Sequence, residues 1–280
     1  MMADGGSGQR PLPSWRNQLD DFRFHCVSQN ARGLSPDKEE VLAALMKQLN
    51  VFVYVVQETW CEEEATTEKA GCTFVRTPAV RSAASGHASG GLAIVLSRAA
   101  RRAWADAGEL VYRFGSRVLA VRLRVRDGED KALEVMVVCA YAPTTAAPAA
   151  EKDEFLAQLS ACIASRRSHE VLMIGGDFNA ALGKRRADEQ EQRLRRSVLG
   201  PWGVEWQNAE GNALLELIVE HDLCVAQSFY RSSTRRGSTR APASATNTTS
   251  GWCLSLTSRG WAMQVGGRVQ PSRATTHPCG

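Results

Sequence analysis

The chain has 280 residues, an apolar fraction of 44% and a formal net charge of +4. This length fits one large domain or two small ones. No apolar run reaches the ~18 residues that a membrane span needs, so the sequence excludes a transmembrane helix and a membrane partner is not expected.

Three segments differ in composition. Residues 1–20 begin with a Gly- and Pro-rich stretch without an apolar core, which predicts a disordered leader and no secretory signal peptide. Residues 21–230 carry the periodic apolar patterns of a folded domain, whereas residues 231–280 are rich in Ser, Thr and Arg and follow no period. We therefore expect an irregular tail after residue 230.

Apolar periodicity predicts an α/β chain. In chain order the expected elements are a strand at 22–27, a helix at 35–49, strands at 51–56, 90–96, 117–125 and 133–140, a helix at 151–163, a strand at 171–176, a helix at 212–220 and a short strand at 224–226. The first helix should bury Val41, Leu42, Leu45 and Leu49. Loops are expected at 79–89, at 200–203 and as a turn at 127–128.

Eight cysteines occur, and none forms a C-x-x-C pair. Several lie inside apolar elements, which favours reduced thiols over a zinc or disulfide framework. The pattern predicts an intracellular protein, nuclear or cytoplasmic.

The most informative motif follows the apolar run 171–174. Two glycines and then Asp177-Phe178-Asn179 stand where the strand is expected to end. A carboxylate and an amide two residues apart share one face of an extended chain. Such oxygen and amide groups can bind a hard metal ion or a phosphate, although an Asp at a strand end can also simply form a turn.

Three further strand ends carry polar groups in the same way. Asn30 follows the first strand, Glu58 follows Gln57 after the second, and Tyr141 precedes Ala-Pro after 133–140. The four ordered motifs resemble the endonuclease/exonuclease/phosphatase superfamily, and more narrowly the apurinic-site-type endonuclease domain of non-LTR retrotransposons. The resemblance implies a four-layer αββα sandwich of mixed α/β (α+β) class, incomplete at its C-terminus.

The resemblance also implies a chemistry, which is Mg²⁺-dependent phosphodiester hydrolysis on DNA, with Mn²⁺ as an alternative ion. Glu58 and Asn30 would serve as metal ligands, and Asp177, Asn179 and Tyr141 as catalytic groups. A reverse transcriptase domain encoded downstream would be the expected partner. Each residue also has a simpler explanation: Asn30 as a turn former, Glu58 as a surface acid and Tyr141 as a packed ring.

Basic residues cluster at 98–102, 117–126, 184–196 and 231–240. The first two clusters are expected to be solvent-exposed faces. The third follows the Asp-Phe-Asn motif, so Lys184, Arg185 and Arg186 are expected to contact nucleic-acid phosphates.

The late Asp-His pair of the resembled family is missing. No Asp or Glu occurs after Asp222, and His277 has no acid before it. In the frame that joins the last base of each codon to the first two of the next, residues 235–240 can encode Thr-Trp-x-His-Pro and residues 273–276 Ser-Asp-His. We hypothesise a frameshift between about residues 230 and 235, an aggregation-prone protein, and weak or absent activity.

Two alternatives stay open at this point. The chain could be a non-catalytic retroelement remnant that binds metal or nucleic acid weakly. It could also be a phosphoesterase of the same fold that acts on a phosphate outside nucleic acids. His87, in the expected loop, is a weak candidate for the missing imidazole.

Overall fold

Two β-sheets face each other in the structure, a computed structural model that describes residues 25–81, 88–126, 132–183 and 198–229. The strands are β1 (His25–Asn30), β2 (Val51–Gln57), β3 (Thr66–Lys69), β4 (Cys72–Arg81), β5 (Ala88–Leu96), β6 (Val111–Phe114), β7 (Val118–Arg126), β8 (Ala132–Tyr141) and β9 (Val171–Asp177). The helices are α1 (Pro36–Gln48), α2 (Arg98–Asp106), α3 (Ala149–Ala164) and α4 (Ala209–Glu220), and a 3-10 helix follows at Ala226–Phe229.

The first sheet has the order β1-β2-β5-β4-β3 and the second the order β6-β7-β8-β9. Each sheet contains one parallel pair, β1 with β2 and β8 with β9. Helices α1 and α3 connect these pairs, as parallel neighbours require a crossover. The carboxyl ends of the paired strands therefore lie side by side, with Asn30 opposite Gln57 and Tyr141 opposite Asp177.

Three apolar layers hold the sandwich together. The central layer lies between the sheets and includes Val55, Ile94 and Val137. On the outside, α1 packs against the first sheet through Met46, and α3 and α4 cover the second sheet. Helices on both outer faces confirm the predicted four-layer αββα arrangement.

Helix α1 begins as predicted but turns a different face to the core. Ser35 Oγ accepts a hydrogen bond from the Lys38 amide at 3.4 Å, and Pro36 occupies the first turn. The predicted burial of Val41 and Leu49 is wrong, because these side chains are 60% and 45% exposed. The buried stripe instead includes Glu39, whose Oε1 accepts from Arg76 at 2.6 Å.

Several elements depart from the predicted pattern. Strands β3, β4 and β6 and helix α2 were not predicted, and β4 extends to Arg81 into the expected loop. Arg and Pro interrupt the apolar pattern of β4, and its buried Arg76 pairs with Glu39 at 2.6 Å. The expected strand at 224–226 is wrong: Val225 makes one bridge with Leu199, and a 3-10 helix follows. The leader, the turn at 127–128 and the tail lie outside the described residues.

The arginines of β7 were expected to form a solvent-exposed face. This expectation fails most clearly at Arg122. Both faces of β7 are covered, so this side chain is buried. Its Nε donates to Glu170 Oε1 at 2.6 Å, and its guanidinium lies 4.3 Å from the centre of the Tyr112 ring. Arg124, on the same strand, pairs with Glu134 at 2.6 Å and is more exposed.

No disulfide joins the six cysteines within the described residues. Burial raises the pKa of the Cys162 thiol to about 12, which keeps it protonated. In the part of the chain that the structure describes, no helix is long and apolar enough to cross a membrane.

Candidate active site

Four strand ends from the two sheets meet at one edge of the sandwich. Asn30 ends β1 and Glu58 directly follows β2, while Tyr141 and Asp177 end β8 and β9. Side chains of all four are linked by hydrogen bonds of 2.6 to 2.9 Å. The sequence predicted this set from motif order, and the structure brings its members together.

The amide of Asn30 joins the two carboxylates. Its Nδ2 donates to Glu58 Oε1 at 2.6 Å and to Asp177 Oδ2 at 2.9 Å. Because ionised carboxylates only accept, the amide nitrogen must face them, which leaves Oδ1 to accept from the Arg32 amide at 3.1 Å. Asn30 thus forms a side-chain link between the first and second sheets, beyond a simple turn.

Tyr141 contacts the same carboxylate. Its hydroxyl donates to Glu58 Oε1 at 2.9 Å. Burial, followed by the negative charge of Glu58, raises the pKa of Tyr141 well above its usual value, although the Arg117 cation opposes the shift. The phenol therefore stays protonated and remains a hydrogen-bond donor throughout the physiological range.

Asp177 is the most enclosed member of the group, with 3% of its surface exposed. Its Oδ1 accepts from the backbone amide of Asn179 at 3.2 Å. The side chain of Asn179 donates to the Ala142 carbonyl at 3.0 Å and so ties the loop after β9 to the loop after β8. Asn179 therefore lies beside the cluster, with its amide nitrogen committed to the backbone. Lys184, Arg185 and Arg186 lie outside the described residues.

Two glycines of β9 relieve crowding near the site, one between the sheets and one within the second sheet. Both Gly175 and Gly176 lie within β9, as the strand predicted at 171–176 requires, and the strand extends one residue further to Asp177. A methyl group on Gly175 would clash with the Val55 side chain of the facing sheet, and one on Gly176 would clash with the Ala140 carbonyl. The missing side chain of Gly175 therefore lets the two sheets approach closely, two residues before Asp177.

The backbone around Glu58 is held in an uncommon conformation. Glu58 has a φ of 53° and Trp60 a φ of 57°, in the left-handed region that non-glycine residues rarely adopt. Backbone hydrogen bonds from Gly33 N to Glu58 O at 2.7 Å and from Thr59 N to Gly91 O at 3.1 Å stabilise this turn. Such a conformation persists only where the surrounding structure maintains it, and residues of this kind are concentrated at functional sites.

Sequence inspection missed Arg117 as a neighbour of the site. Its guanidinium lies 5.6 Å from the centre of the Tyr141 ring, and it pairs with Glu151 of α3. Only the antiparallel pairing of β7 with β8 reveals this proximity, because 24 residues separate Arg117 from Tyr141 in sequence.

The donor set suits a hard divalent cation. Two carboxylates, Glu58 and Asp177, converge on one amide, and neither forms an ion pair with a described Lys, Arg or His. Oxygen donors of this kind are the ligands that Mg²⁺ and Mn²⁺ prefer. Within the described residues, no group of three or more His, Cys, Asp or Glu could hold a metal ion. For Asn30 to add a ligand, its amide would have to rotate so that Oδ1, and not Nδ2, faces the carboxylates, because only the oxygen can bind a cation.

None of the three described histidines reaches this cluster. His25 lies at the opposite end of β1 and contacts the Leu49 carbonyl at 3.4 Å. His169 pairs with Glu134 at 3.1 Å, and His221 ends α4 and contacts Ser160 Oγ at 2.8 Å. His87 and His277 lie outside the described residues.

Comparisons with known proteins show which family the sequence matches. The sequence model of the endonuclease/exonuclease/phosphatase family matches residues 27–263. Craniofacial development protein 2 from Bos taurus is 22% identical over 226 residues, which cover 78% of this chain and 34% of that protein. The chain thus spans about a third of the length of this curated relative.

Solved structures of similar fold include an AP endonuclease of Leishmania major, with a TM-score of 0.50 and 15% identity, covering 85% of this chain and 80% of that one. A 3′ phosphatase from Neisseria, solved with a product DNA hairpin, has a TM-score of 0.45 and 17% identity, covering 71% and 72%. The family match spans most of the chain, and the two sheets with helices on both outer faces agree with it. The chain belongs to the endonuclease/exonuclease/phosphatase family.

Proposed function

We propose that this chain is a divalent-metal-dependent phosphodiesterase that nicks DNA, related to the endonuclease domains of non-LTR retrotransposons. One observation carries the proposal. Two carboxylates from different sheets, Glu58 and Asp177, share the amide of Asn30 at 2.6 and 2.9 Å without a described cation beside them. Such a cluster costs folding free energy through charge repulsion, and a bound cation would offset that cost.

Each residue of the cluster receives a role in the proposal. Glu58 and, once its amide has rotated, Oδ1 of Asn30 would hold Mg²⁺ or Mn²⁺, which when bound would neutralise charge on the scissile phosphate. Tyr141 would donate its hydroxyl proton in a hydrogen bond to a phosphate oxygen, since its raised pKa keeps it protonated. Asp177 would orient the attacking water as a base, and Asn179 would fix the loop that follows it.

DNA is the substrate that the proposal favours over a lipid or small phosphate. A solved structure of similar fold is an AP endonuclease. The basic residues Lys184, Arg185 and Arg186 follow the Asp177 loop directly in sequence. Exchanging Arg185 and Arg186 for Glu should weaken DNA binding and reduce its salt dependence, as measured by fluorescence anisotropy at several ionic strengths. An unchanged salt slope would contradict the assignment.

We further propose that the catalytic domain spans residues 21–230 and that the tail at 231–280 is out of frame. The late Asp-His pair would then be lost, and nicking would be slow, because each general acid or base group commonly contributes ~10²- to 10⁴-fold. Coding DNA that cannot yield Asp-His in the alternative frame would contradict the frameshift. A reverse transcriptase domain encoded downstream is the partner that this assignment implies.

A plasmid-nicking assay with Mg²⁺ tests the proposal. It compares the chain, its Asp177→Ala variant and a version whose tail is restored to the alternative frame. Nicking by the unmodified chain that disappears in Asp177→Ala would support the assigned chemistry. It would also show that the missing Asp-His pair is not necessary for activity. Nicking by the restored version alone would support the impaired endonuclease. Nicking by neither version would contradict the DNA endonuclease, and hydrolysis of a non-nucleic-acid phosphodiester would then favour the alternative phosphoesterase over a non-catalytic remnant.

A further inference from the structure

A large aromatic side chain is exposed to solvent next to the candidate active site. Trp60 is 48% exposed and lies two residues after Glu58. It belongs to none of the buried apolar clusters of the described residues. Nearly half of the surface of this large ring stays in contact with water, so packing alone gives a weak account of a tryptophan at this position.

The ring is held in place. A Cβ added to Gly33 would lie 2.6 Å from Trp60 Cε3 and 2.9 Å from Cζ3, so the indole packs directly on the glycine backbone. The Trp60 amide donates to the Gly90 carbonyl at 3.1 Å, and the residue keeps a φ of 57°. These constraints fix the ring's position before any ligand arrives, which lowers the entropy cost of binding.

The loop beneath the ring is equally well fixed. Lys38 Nζ donates to the Gly33 carbonyl at 2.7 Å and to the Ala31 carbonyl at 3.3 Å. Leu34 N donates to the Thr59 carbonyl at 2.8 Å, which ties this loop to the turn that carries Glu58. The aromatic surface and the carboxylate therefore share one rigid support.

We propose that Trp60 stacks on an unpaired nucleobase adjacent to the phosphodiester that is cut, an inference that rests on the proposed function. A planar apolar ring can bind the face of any base, so it adds affinity for DNA with little dependence on sequence. A base can offer its face only where the duplex is opened or bulged. Trp60 thereby directs the site toward DNA with an unpaired base beside the cut.

The test uses fluorescein-labelled duplexes with a single-nucleotide bulge, with fluorescence anisotropy measured in EDTA so that binding is observed without cleavage. One duplex carries a base in the bulge, and a matched duplex carries an abasic tetrahydrofuran unit there. We expect the unmodified chain to bind the duplex with the base roughly 5- to 100-fold more tightly. Trp60→Leu should lose this difference, and Trp60→Phe should keep most of it.

Each outcome decides between distinct claims. Equal affinity of the unmodified chain for the two duplexes overturns the stacking role, and this measurement needs no variant. A base preference that Trp60→Leu retains, with thermal unfolding unchanged, also overturns it. An absence of any DNA binding removes the proposed function and the inference together, whereas binding without base preference removes the inference alone.

Discussion

The two sheets hold their halves of the candidate active site by different means. In the second sheet, Tyr141 and Asp177 are the last residues of regular strands and stand opposite each other in the parallel register. In the first sheet, Glu58 lies beyond its strand, in a turn with a φ of 53° that neighbouring backbone groups maintain. Asn30, the other site residue of this sheet, ends a paired strand, so turn geometry decides the position of Glu58. One half is thus fixed by strand pairing alone and the other also by turn geometry, and the two halves should respond differently to substitution.

The largest effect is expected where the two halves meet. Glu58→Gln keeps the shape of the side chain but removes the charge that accepts from Asn30 and Tyr141. We expect Mg²⁺-dependent nicking to fall by about 100-fold or more, since a metal ligand is lost. The metal-free protein should unfold at an equal or higher temperature, because repulsion between Glu58 and Asp177 is relieved.

Titration of the nicking rate with Mg²⁺ checks this effect, alongside thermal unfolding followed by circular dichroism. The control is Glu40→Gln on the exposed face of α1, which should change neither quantity. A Glu58→Gln variant that nicks at the unmodified rate would assign Glu58 to structure alone.

The second prediction concerns the second sheet, whose site residues are fixed by strand pairing, and it changes a residue far from the site. Arg122 pairs with Glu170, whose side chain has no exposed surface, before the start of β9. Arg122→Met should lower the free energy of unfolding by about 3–5 kcal/mol, because the buried carboxylate of Glu170 loses its closest cation and keeps only Arg167 at 4.0 Å. Arg124→Met, on the same strand but 41% exposed, should cost about 1 kcal/mol or less.

Urea denaturation of both variants measures the difference. A loss at Arg122 no larger than that at Arg124 would mean that the buried pair contributes little to the second sheet. The same conclusion would follow if Arg122→Met with Glu170→Leu were no more stable than Arg122→Met alone.

The third prediction concerns the turn of the first sheet that carries Glu58. Gly91 has a φ of 76°, and an added Cβ would lie 2.5 Å from Thr59 Oγ1, next to Glu58. Gly91→Ala should lower the free energy of unfolding by about 1–3 kcal/mol and should also slow nicking, because the turn must shift. Gly71→Ala is the matched control, since its φ is 80° but its nearest neighbour, a side-chain atom of Arg98, is 4.0 Å away.

Both variants carry the cost of a left-handed conformation, so their difference isolates the crowding of the added methyl group against Thr59 and Ala79. Urea denaturation and the nicking rate would be compared at saturating Mg²⁺. Equal losses of stability and activity in the two variants would show that the turn at Glu58 accommodates an added methyl group.

The same contrast explains what the sequence could predict. Strand ends with Asn30, Glu58, Tyr141 and Asp177 were visible because apolar runs stop at polar residues and the order of motifs resembles a known family. The four-layer fold followed from that resemblance and is confirmed, while the catalytic roles stay predictions. The burial of Arg122 was not visible, because its partner Glu170 is distant in sequence and a lone arginine is normally exposed.

Turn geometry was the hardest feature to predict. A positive φ at Glu58 depends on backbone hydrogen bonds to the loops at Gly33 and Gly91, which only the assembled sheet provides. The role of Gly175 likewise depends on Val55 of the facing sheet. Local sequence specifies elements, but contacts between sheets determine how the site is held.

The smallest effect is expected at the solvent-exposed end of the second sheet, away from the site. A hydrogen bond from Arg124, with a weaker contribution from His169, lowers the pKa of Glu134 from 4.5 to about 2. Because the folded-state pKa lies below the unfolded value, the stabilisation is present above about pH 4.5 and is lost as the pH falls toward 2.

Glu134→Gln should cost about 1 kcal/mol or less at pH 6, and this difference should shrink at pH 3.5. Urea denaturation at the two pH values checks it, with Glu154→Gln on α3 as a control. A cost that is independent of pH would assign the effect of Glu134 to packing, whereas an accompanying change in nicking would show that the two ends of the sheet are coupled.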